Sequence, residues 1–200
     1  MIKITVHSKE TKMRDILSLN TSSLKNPFCK KMSQDKNNIC SSCYSNIYSK
    51  LRPNLENILQ ENSRLLSKKY NDKIIFNASI VRLSSFGELI NRVHFENLIK
   101  ICNDNPKASF TLWSRRKPII NHVFVSMEKP DNLILIYSEK KKNPKTLNKL
   151  PKHFDKVFNV YTKKYAIENN IDINCGKKIC IKCMICYSKN NTRVINGLKK

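Results

Sequence analysis

Four cysteines lie close together near the end of the chain, in the segment NCGKKICIKCMICYS. They are Cys175, Cys180, Cys183 and Cys186, with the spacing C-x4-C-x2-C-x2-C. The two-residue gaps allow a tight turn to direct successive thiolates at one point, and four thiolates are the ligands of a [4Fe–4S] cluster. Zinc also accepts four thiolates, but its structural sites usually come as two separated C-x2-C pairs. The pattern therefore predicts a metal site and favours iron–sulfur over zinc.

Three cysteines near the start of the chain, Cys29, Cys40 and Cys43, form a second group. Three thiolates leave one coordination position open, which suits a cluster with one free iron better than a closed structural zinc site. The spacing is compatible with two separate sites, with a single site that takes ligands from both ends, and with a reduced C-x2-C pair on a surface loop. Cys102 has the spacing of a core residue in a helix and is interpreted as a small buried hydrophobe.

The length and composition predict one folded domain. The chain has 200 residues, of which 40% are hydrophobic. No apolar run is long enough to span a membrane, and the first residues do not resemble a secretory signal. We therefore expect a cytoplasmic protein without a membrane partner, in which thiols stay reduced and eight cysteines indicate metal or catalysis before disulfides. The sequence does not indicate an oligomeric state.

The net charge of +23 is the second informative feature of the composition. Such a charge attracts phosphate polyanions, so nucleic acid is the first candidate partner. The chain is also rich in Lys, Asn and Ile, as an AT-rich genome would make any protein. Both explanations of the charge stay open at this point.

Hydrophobic periodicity predicts alternating strands and helices in the middle of the chain. Such alternation is typical of parallel β–α units, and nearly continuous apolar strands are typical of a sheet covered on both faces. We expect a partial (β/α) barrel or an open parallel sheet, because a complete eight-fold barrel usually needs about 250 residues. The predicted single metal-binding α/β domain comprises a cysteine loop region (1–45), a β/α core (46–165) and a cysteine-rich tail (166–200). The predicted strands are 73–83, 109–115, 132–138 and 156–163, with one or two more within 1–20, and the predicted helices cover 88–102, a stretch that begins near Pro53 and a short stretch that begins at Pro118.

Polar residues follow each predicted strand at its carboxyl end, where parallel α/β folds bind ligands. Arg82 closes the first of these strands and Glu88 follows it shortly afterwards. Ser114 and Arg115 close the second strand, and Tyr161 lies at the end of the fourth. We therefore take Arg82 and Glu88 as candidate catalytic residues, and Glu88, Ser114 and Tyr161 as candidate cofactor-binding residues. The isolated histidines are interpreted as packed or surface groups.

The whole chain resembles the phage gene-product-eighty-eight family of phage and prophage proteins. That resemblance predicts a protein of the host-cell cytoplasm. The points of resemblance are CSSCYS (40–45), Arg82 followed by Gly87 and Glu88, Tyr161 with Thr162, and the closing NCGKKICIKCMICY.

That family in turn looks like a small relative of the radical S-adenosylmethionine enzymes, which are partial β/α barrels. The resemblance implies that Cys29, Cys40 and Cys43 hold an open cluster and that the four terminal cysteines hold an auxiliary one. It also implies that Glu88 receives the cosubstrate's amino group and that Arg82 faces its carboxylate or the cluster. The first cysteine gap departs from that pattern, since this chain has C-x10-C-x2-C where those enzymes usually have C-x3-C-x2-C.

Three functions follow as hypotheses. The first is an iron–sulfur protein with a radical S-adenosylmethionine-like activity on an unknown substrate, or a single-site iron–sulfur protein without that activity. The second is a basic nucleic-acid-binding module stabilised by zinc or a cluster, although no recognised nucleic-acid motif is present. The third is a metal-stabilised capsid or tail accessory protein.

Overall fold

The computed structural model describes residues 1–144 and 150–199, which form an α/β fold around one seven-stranded sheet. The strands lie in the sheet in chain order; β1 pairs antiparallel with β2, and every later pair is parallel. No pairing closes the sheet within these residues, so it is an open, mostly parallel sheet and not a complete barrel. Its strands are β1 Thr5–Val6, β2 Leu17–Leu19, β3 Ile80–Leu83, β4 Ser109–Ser114, β5 Leu133–Lys142, β6 Lys156–Tyr161 and β7 Val194–Leu198.

Local sequence signals explain where the helices begin. Three helices have proline in their first turn, where the missing N–H costs nothing. Asn26, Asn91 and Thr162 cap three helices by accepting backbone N–H groups. The helices are α1 Pro27–Gln34, α2 Tyr44–Leu51, α3 Pro53–Leu66, α4 Arg92–Asp104, α5 Lys117–Val123, α6 Lys163–Glu168 and α7 Cys180–Cys183, and a 3-10 helix covers Ile39–Ser42.

The two faces of the sheet are covered by different parts of the chain. The main core includes Leu83, Phe110 and Leu135 from the strands, packed with Phe95 and Leu98 of α4. The opposite face carries smaller apolar clusters, in which strand residues pack with the segment 180–187. The cysteine-rich tail is therefore part of the packing of the sheet.

Several predictions from the sequence need correction. The predicted strand 73–83 is a strand only at Ile80–Leu83, because Phe76 N–H donates to the Asn105 side chain and not to a neighbouring strand. The cysteines of the predicted cysteine loop region (1–45) lie in or next to helices, at Pro27–Gln34 and Ile39–Ser42, and the predicted tail (166–200) contains β7, which was not anticipated. Residues 145–149 and Lys200 lie outside the described residues.

Within the described ranges, none of the helices combines the length and the apolar character that a transmembrane span requires.

Candidate functional site

The first cysteines, Cys29, Cys40 and Cys43, are here called the N-terminal thiol group. Cys29 lies in the first turn of α1, and its N–H donates to Oδ1 of the capping residue Asn26 at 3.4 Å. Asn26 in turn donates from Nδ2 to the Glu88 carbonyl oxygen at 2.8 Å. One buried asparagine therefore ties the Cys29 helix to the segment that follows β3.

Arg115 connects Cys40 to the carboxyl edge of the sheet. We define this edge as the one formed by the carboxyl ends of the parallel strands. The Nη1 atom of Arg115 lies 2.6 Å from Cys40 Sγ and 3.2 Å from Asn38 Oδ1. Its Nε donates to the Ser138 carbonyl oxygen at 3.0 Å. A guanidinium has five N–H donors in a fixed plane, so one residue can join the cysteine segment to β4 and β5.

Glu88 lies at the same edge, 8% exposed. Its Oε1 accepts from Ser114 Oγ and from Leu89 N–H, both at 2.8 Å, and its Oε2 accepts from Arg115 N–H at 2.9 Å. Burial raises the pKa of Glu88, and these hydrogen bonds oppose that rise. An ionised carboxylate offers about four lone-pair positions, so three donors leave room for one more cation or donor.

Gly87 makes the position of Glu88 possible. Its φ is +78°, and a Cβ at this position would lie 2.5 Å from the Thr21 carbonyl oxygen. Only glycine combines this left-handed conformation with so close an approach of two backbone segments.

The thiols of this group interact electrostatically. Burial raises the pKa of Cys29, and negative charge on Glu88, Cys40 and Cys43 raises it further, while Arg115 lowers it. Burial likewise raises the pKa of Cys40, against the opposing charge of Arg115. The three predicted N-terminal cysteines and Glu88 therefore lie close enough for their charges to affect one another.

The second set, Cys175, Cys180, Cys183 and Cys186, is here called the C-terminal thiol group. Hydrogen bonds to its backbone attach this segment to the rest of the fold. Cys180 N–H donates to the Lys12 carbonyl oxygen at 2.8 Å, and the Cys186 carbonyl oxygen accepts from Thr111 Oγ1 at 3.0 Å. Lys156 Nζ donates to the Ile185 carbonyl oxygen at 2.7 Å. The segment 180–187 therefore lies against the sheet face opposite the main core.

These thiols also affect one another. Burial raises the pKa of Cys186 to about 12, with contributions from the other three cysteines, and Arg82 opposes the rise. The causes of the shift at Cys180 are burial first, then the opposing charge of Arg82, then Cys175 and Cys183. The cysteines whose charges shift the pKa of Cys29, Cys40, Cys175, Cys180 and Cys186 belong in each case to the same thiol group as the shifted residue.

Across residues 1–144 and 150–199, no set of three or more His, Cys, Asp or Glu side chains is arranged to hold a metal ion. The chemistry of both thiol groups fits a thiolate-bound metal or cluster. Ligation would require the thiols to lose their protons and their sulfur atoms to converge further.

Arg82 lies beside the C-terminal thiol group. Its guanidinium carbon lies 3.7 Å from the centre of the Trp113 ring, and its Nη1 contacts Met13 Sδ at 3.2 Å. The charge of Arg82 opposes the rise in pKa that burial causes at Tyr44, next to Cys43, and at Cys180. Its Nε is buried and has no partner among the described residues. The predicted site residue Arg82 is therefore close to the C-terminal thiol group and to Tyr44, the residue after Cys43.

The remaining predicted residues are divided. Ser114 contacts Glu88 directly, whereas Tyr161 stacks on Tyr165 with ring centres 6.1 Å apart, at the end of a strand three positions away from β3 in the sheet. Cys102 is fully buried in α4, as predicted. The surface depressions along α3 are lined by residues such as Lys25 and Arg64 and contain none of the cysteines.

Sequence analysis missed two contributors to the site. Arg115 was noted only as a polar residue at a strand end, and Trp113 only as part of a strand. The available signal for Arg115 was its positive charge at the end of a predicted strand, where it could meet the predicted cysteine loop in space. Nothing in the local sequence marked Trp113 as the platform for Arg82.

Comparisons with known proteins establish the family of the chain. No curated protein and no solved structure matches the chain. The family model described as Gene product 88 matches residues 5–200. The chain therefore belongs to the Gene product 88 family, a family of phage proteins.

Proposed function

We propose that this phage-type protein is an iron–sulfur protein with a radical S-adenosylmethionine-like site at the carboxyl edge of its sheet. One observation carries the proposal: Cys29 of α1 and Cys40 and Cys43 of the following turn lie close enough to Glu88 and Arg115 at this edge for their charges to affect one another. Ligands of parallel α/β folds bind at the same edge.

The N-terminal thiol group would hold the open cluster. Three thiolates leave one iron without a protein ligand, and that iron supplies one-electron chemistry and a position for a cosubstrate when the cluster is bound. Arg115 would balance the negative charge of the Cys40 thiolate through its 2.6 Å contact. It would also keep the cysteine segment over the ends of β4 and β5.

Glu88 would bind the amino group of S-adenosylmethionine. Three hydrogen bonds from Ser114, Leu89 and Arg115 fix its carboxylate, and one lone-pair position remains. A buried carboxylate gains strongly from a cationic partner, because an unpaired buried charge is costly.

The C-terminal thiol group would hold a second, closed cluster. Four thiolates are a complete ligand set, so no position is left for a substrate. Arg82 would offset the negative charge of this cluster, because its guanidinium already opposes the rise in pKa at Cys180 and Cys186. In this proposal the same guanidinium would also interact with the carboxylate of the cosubstrate, on the side of Tyr44.

Anaerobic reconstitution with iron and sulfide tests the metal proposal. A two-cluster protein should contain about eight irons per chain and a one-cluster protein about four, taking four per cubane. Cys40→Ser and Cys183→Ser should each remove about half of the iron if two clusters are present. Cys102→Ala, which removes a buried core thiol, is the matched control and should leave the iron content unchanged.

A colourless protein with stoichiometric zinc would contradict the iron–sulfur proposal. The cosubstrate proposal has its own test, the electron paramagnetic resonance spectrum of the reduced protein with and without S-adenosylmethionine. We expect a change in the wild-type spectrum and none in Glu88→Gln. A cluster that forms but does not respond to the cosubstrate would leave a single-function iron–sulfur protein and reject the radical S-adenosylmethionine-like activity.

A further inference from the structure

Positive charge is concentrated at the carboxyl edge of the sheet. Lys140, Lys141 and Lys142 end β5, and Lys163 and Lys164 follow β6. Lys140, Lys141, Lys142 and Lys163 form no ion pair within the described residues. Arg116 and Lys117 after β4, and Lys199 after β7, add to this positive surface.

The opposite edge of the sheet is different. There, Lys129 pairs with Asp155 at 2.6 Å, and Lys189 lies 3.5 Å from Asp131. The lysines after β5 and β6 have Glu139 and Glu168 as acidic neighbours in the chain, yet Lys140, Lys141, Lys142 and Lys163 pair with neither within the described residues. Their ammonium groups are therefore available to bind phosphates.

Two of the lysines at this edge lie against each other. Burial and the nearby charge of Lys142 both lower the pKa of Lys199. Lys199 N–H donates to the Tyr161 carbonyl oxygen at 2.8 Å, which fixes its backbone beside β6. Adjacent ammonium groups repel each other, so a bound phosphate would relieve an unfavourable contact.

Exposed aromatic rings lie on the other side of the N-terminal thiol group. Tyr44 and Tyr48 are 52% and 45% exposed, and both meet the Phe86 ring edge-on. The Arg52 guanidinium lies 4.9 Å from the centre of the Tyr48 ring. Tyrosine rings and a stacked guanidinium are the groups on which unpaired bases stack.

The basic and aromatic surfaces are connected through the thiol segment. Lys141 forms a β-bridge with Asn38, and the Asn38 side chain accepts from Cys40 N–H at 3.0 Å. Cys43 then begins α2, which carries Tyr44 and Tyr48. A single extended ligand could therefore contact the lysines, pass the thiol segment and reach the rings.

We propose that this surface binds single-stranded nucleic acid, with phosphates on Lys140–Lys142 and a base stacked on Tyr48. A duplex would satisfy the lysines but would keep its bases away from the rings. An acidic protein would satisfy the charge but would not require aromatic faces. The inference goes beyond the proposed iron–sulfur function and does not depend on a bound metal.

Fluorescence anisotropy of a labelled 20-nucleotide single strand with the full-length protein tests this inference. The triple variant Lys140→Ser, Lys141→Ser, Lys142→Ser should weaken binding at least tenfold. It should also reduce the slope of log K against log salt by about 2, because each lost phosphate contact on a single strand contributes about 0.7. The control is Lys68→Ser, Lys69→Ser, Lys73→Ser, which removes the same charge at the opposite edge and should change affinity less than twofold.

A second pair of variants separates stacking from general apolar contact. Tyr48→Ala should weaken single-strand binding about tenfold, within the range typical of a lost base–aromatic stack. Ile47→Ala, an exposed apolar neighbour on the same helix at 53% exposure, should have little effect.

Equal losses in the two lysine triple variants would overturn the proposal, because the charge would then act without regard to place. Tighter binding to a duplex of the same length, or to polyglutamate, would also overturn it and would indicate duplex or acidic-protein recognition. Absence of binding at low salt would have the same consequence.

Discussion

Arg115 Nη1 lies 2.6 Å from Cys40 Sγ, although 75 residues separate these two in the chain. The same guanidinium donates to the Ser138 carbonyl oxygen, and the Arg115 backbone N–H donates to Glu88. One residue at the end of β4 thus contacts a predicted metal ligand, the neighbouring strand and the buried carboxylate. This relationship links the N-terminal thiol group to the sheet through a side chain.

The first prediction concerns the ionisation of Cys40 in metal-free protein. Arg115 opposes the rise that burial causes in the pKa of Cys40, so its removal should raise that pKa further. In Arg115→Met the pH midpoint for alkylation of Cys40 by iodoacetamide, followed by peptide mass spectrometry, should move upward. Arg116→Met is the control, because Arg116 stacks on Phe28 and has no contact with Cys40 sulfur among the described residues. A midpoint that moves equally in both variants, or falls in Arg115→Met, would contradict the assigned role.

The second prediction concerns Gly87. In Gly87→Ala the strained φ and the approach of Cβ to the Thr21 carbonyl oxygen should lower the free energy of unfolding by about 2 to 4 kcal/mol. Gly176→Ala shares a positive φ of 120°, but its Cβ would meet only the end of the Lys12 side chain. Gly176→Ala should therefore lower the free energy of unfolding by a smaller amount, about 1 to 2 kcal/mol. Urea denaturation measures both values, and equal losses would show that the contact with Thr21 is relieved at little cost.

Hydrophobic periodicity was sufficient for elements with a strong local pattern. The predicted strands 109–115 and 156–163 correspond to β4 and β6, and the stretch beginning at Pro53 corresponds to α3. The fold class followed from the alternation of these elements. The open parallel sheet was one of the two architectures expected, and a sheet of this length in chain order is compatible with that prediction.

Elements that depend on tertiary contacts were missed. Residues 73–79 have the composition of a strand. Because Asn105 Oδ1 accepts a hydrogen bond from Phe76 N–H, no β-ladder forms there. Strand β7 contains Asn196 and Gly197, which are poor strand formers, and it is stabilised by pairing with β6 and by the Asn174 side chain. Intrinsic strand preference predicts neither the missing strand at 73–79 nor the presence of β7, because each depends on the hydrogen-bonding partner that the fold supplies.

The site divides in the same way. Cysteine type and spacing predicted both thiol groups, and the polar strand ends predicted Glu88 and Ser114. The contact of Arg115 with Cys40 depends on the placing of β4 beside the cysteine segment, and the position of Arg82 over Trp113 depends on the pairing of β3 with β4. Such pairs require the sheet topology and cannot be obtained from spacing along the chain.

The third prediction concerns acid stability. His94 is 1% exposed, its Nδ1 accepts from Ile90 N–H, and burial lowers its pKa to about 3, against an ordinary value of 6.5. Below pH 6.5 the unfolded chain therefore binds a proton that the folded chain excludes. The free energy of unfolding should fall as the pH drops from 6.5 towards 3, by up to about 1.4 kcal/mol per pH unit from this group.

Substitution isolates this contribution. His94→Gln should show a lower stability at pH 7 but a shallower decline in acid, measured by urea denaturation at a series of pH values. His122→Gln, an exposed histidine on α5, should leave the shape of the acid decline unchanged. Parallel pH curves for wild type and His94→Gln would mean that other groups cause the decline.

The fourth prediction concerns the attachment of the C-terminal thiol group. Lys156 is 2% exposed, and its Nζ donates to the Ile185 carbonyl oxygen and to Asn190 Oδ1, both at 2.7 Å. Lys156→Met keeps most of the side-chain volume but leaves both acceptors without their donor, at a local cost of about 1 to 3 kcal/mol. Amide hydrogen exchange in residues 180–190 should therefore become about tenfold faster, since local opening follows local stability at about 1.4 kcal/mol per factor of ten. Lys189→Met removes an exposed lysine of the same segment and should leave exchange there unchanged. If Lys156→Met accelerates exchange no more than this control does, the packing of residues 180–187 on the sheet holds the thiol group in place without the buried lysine.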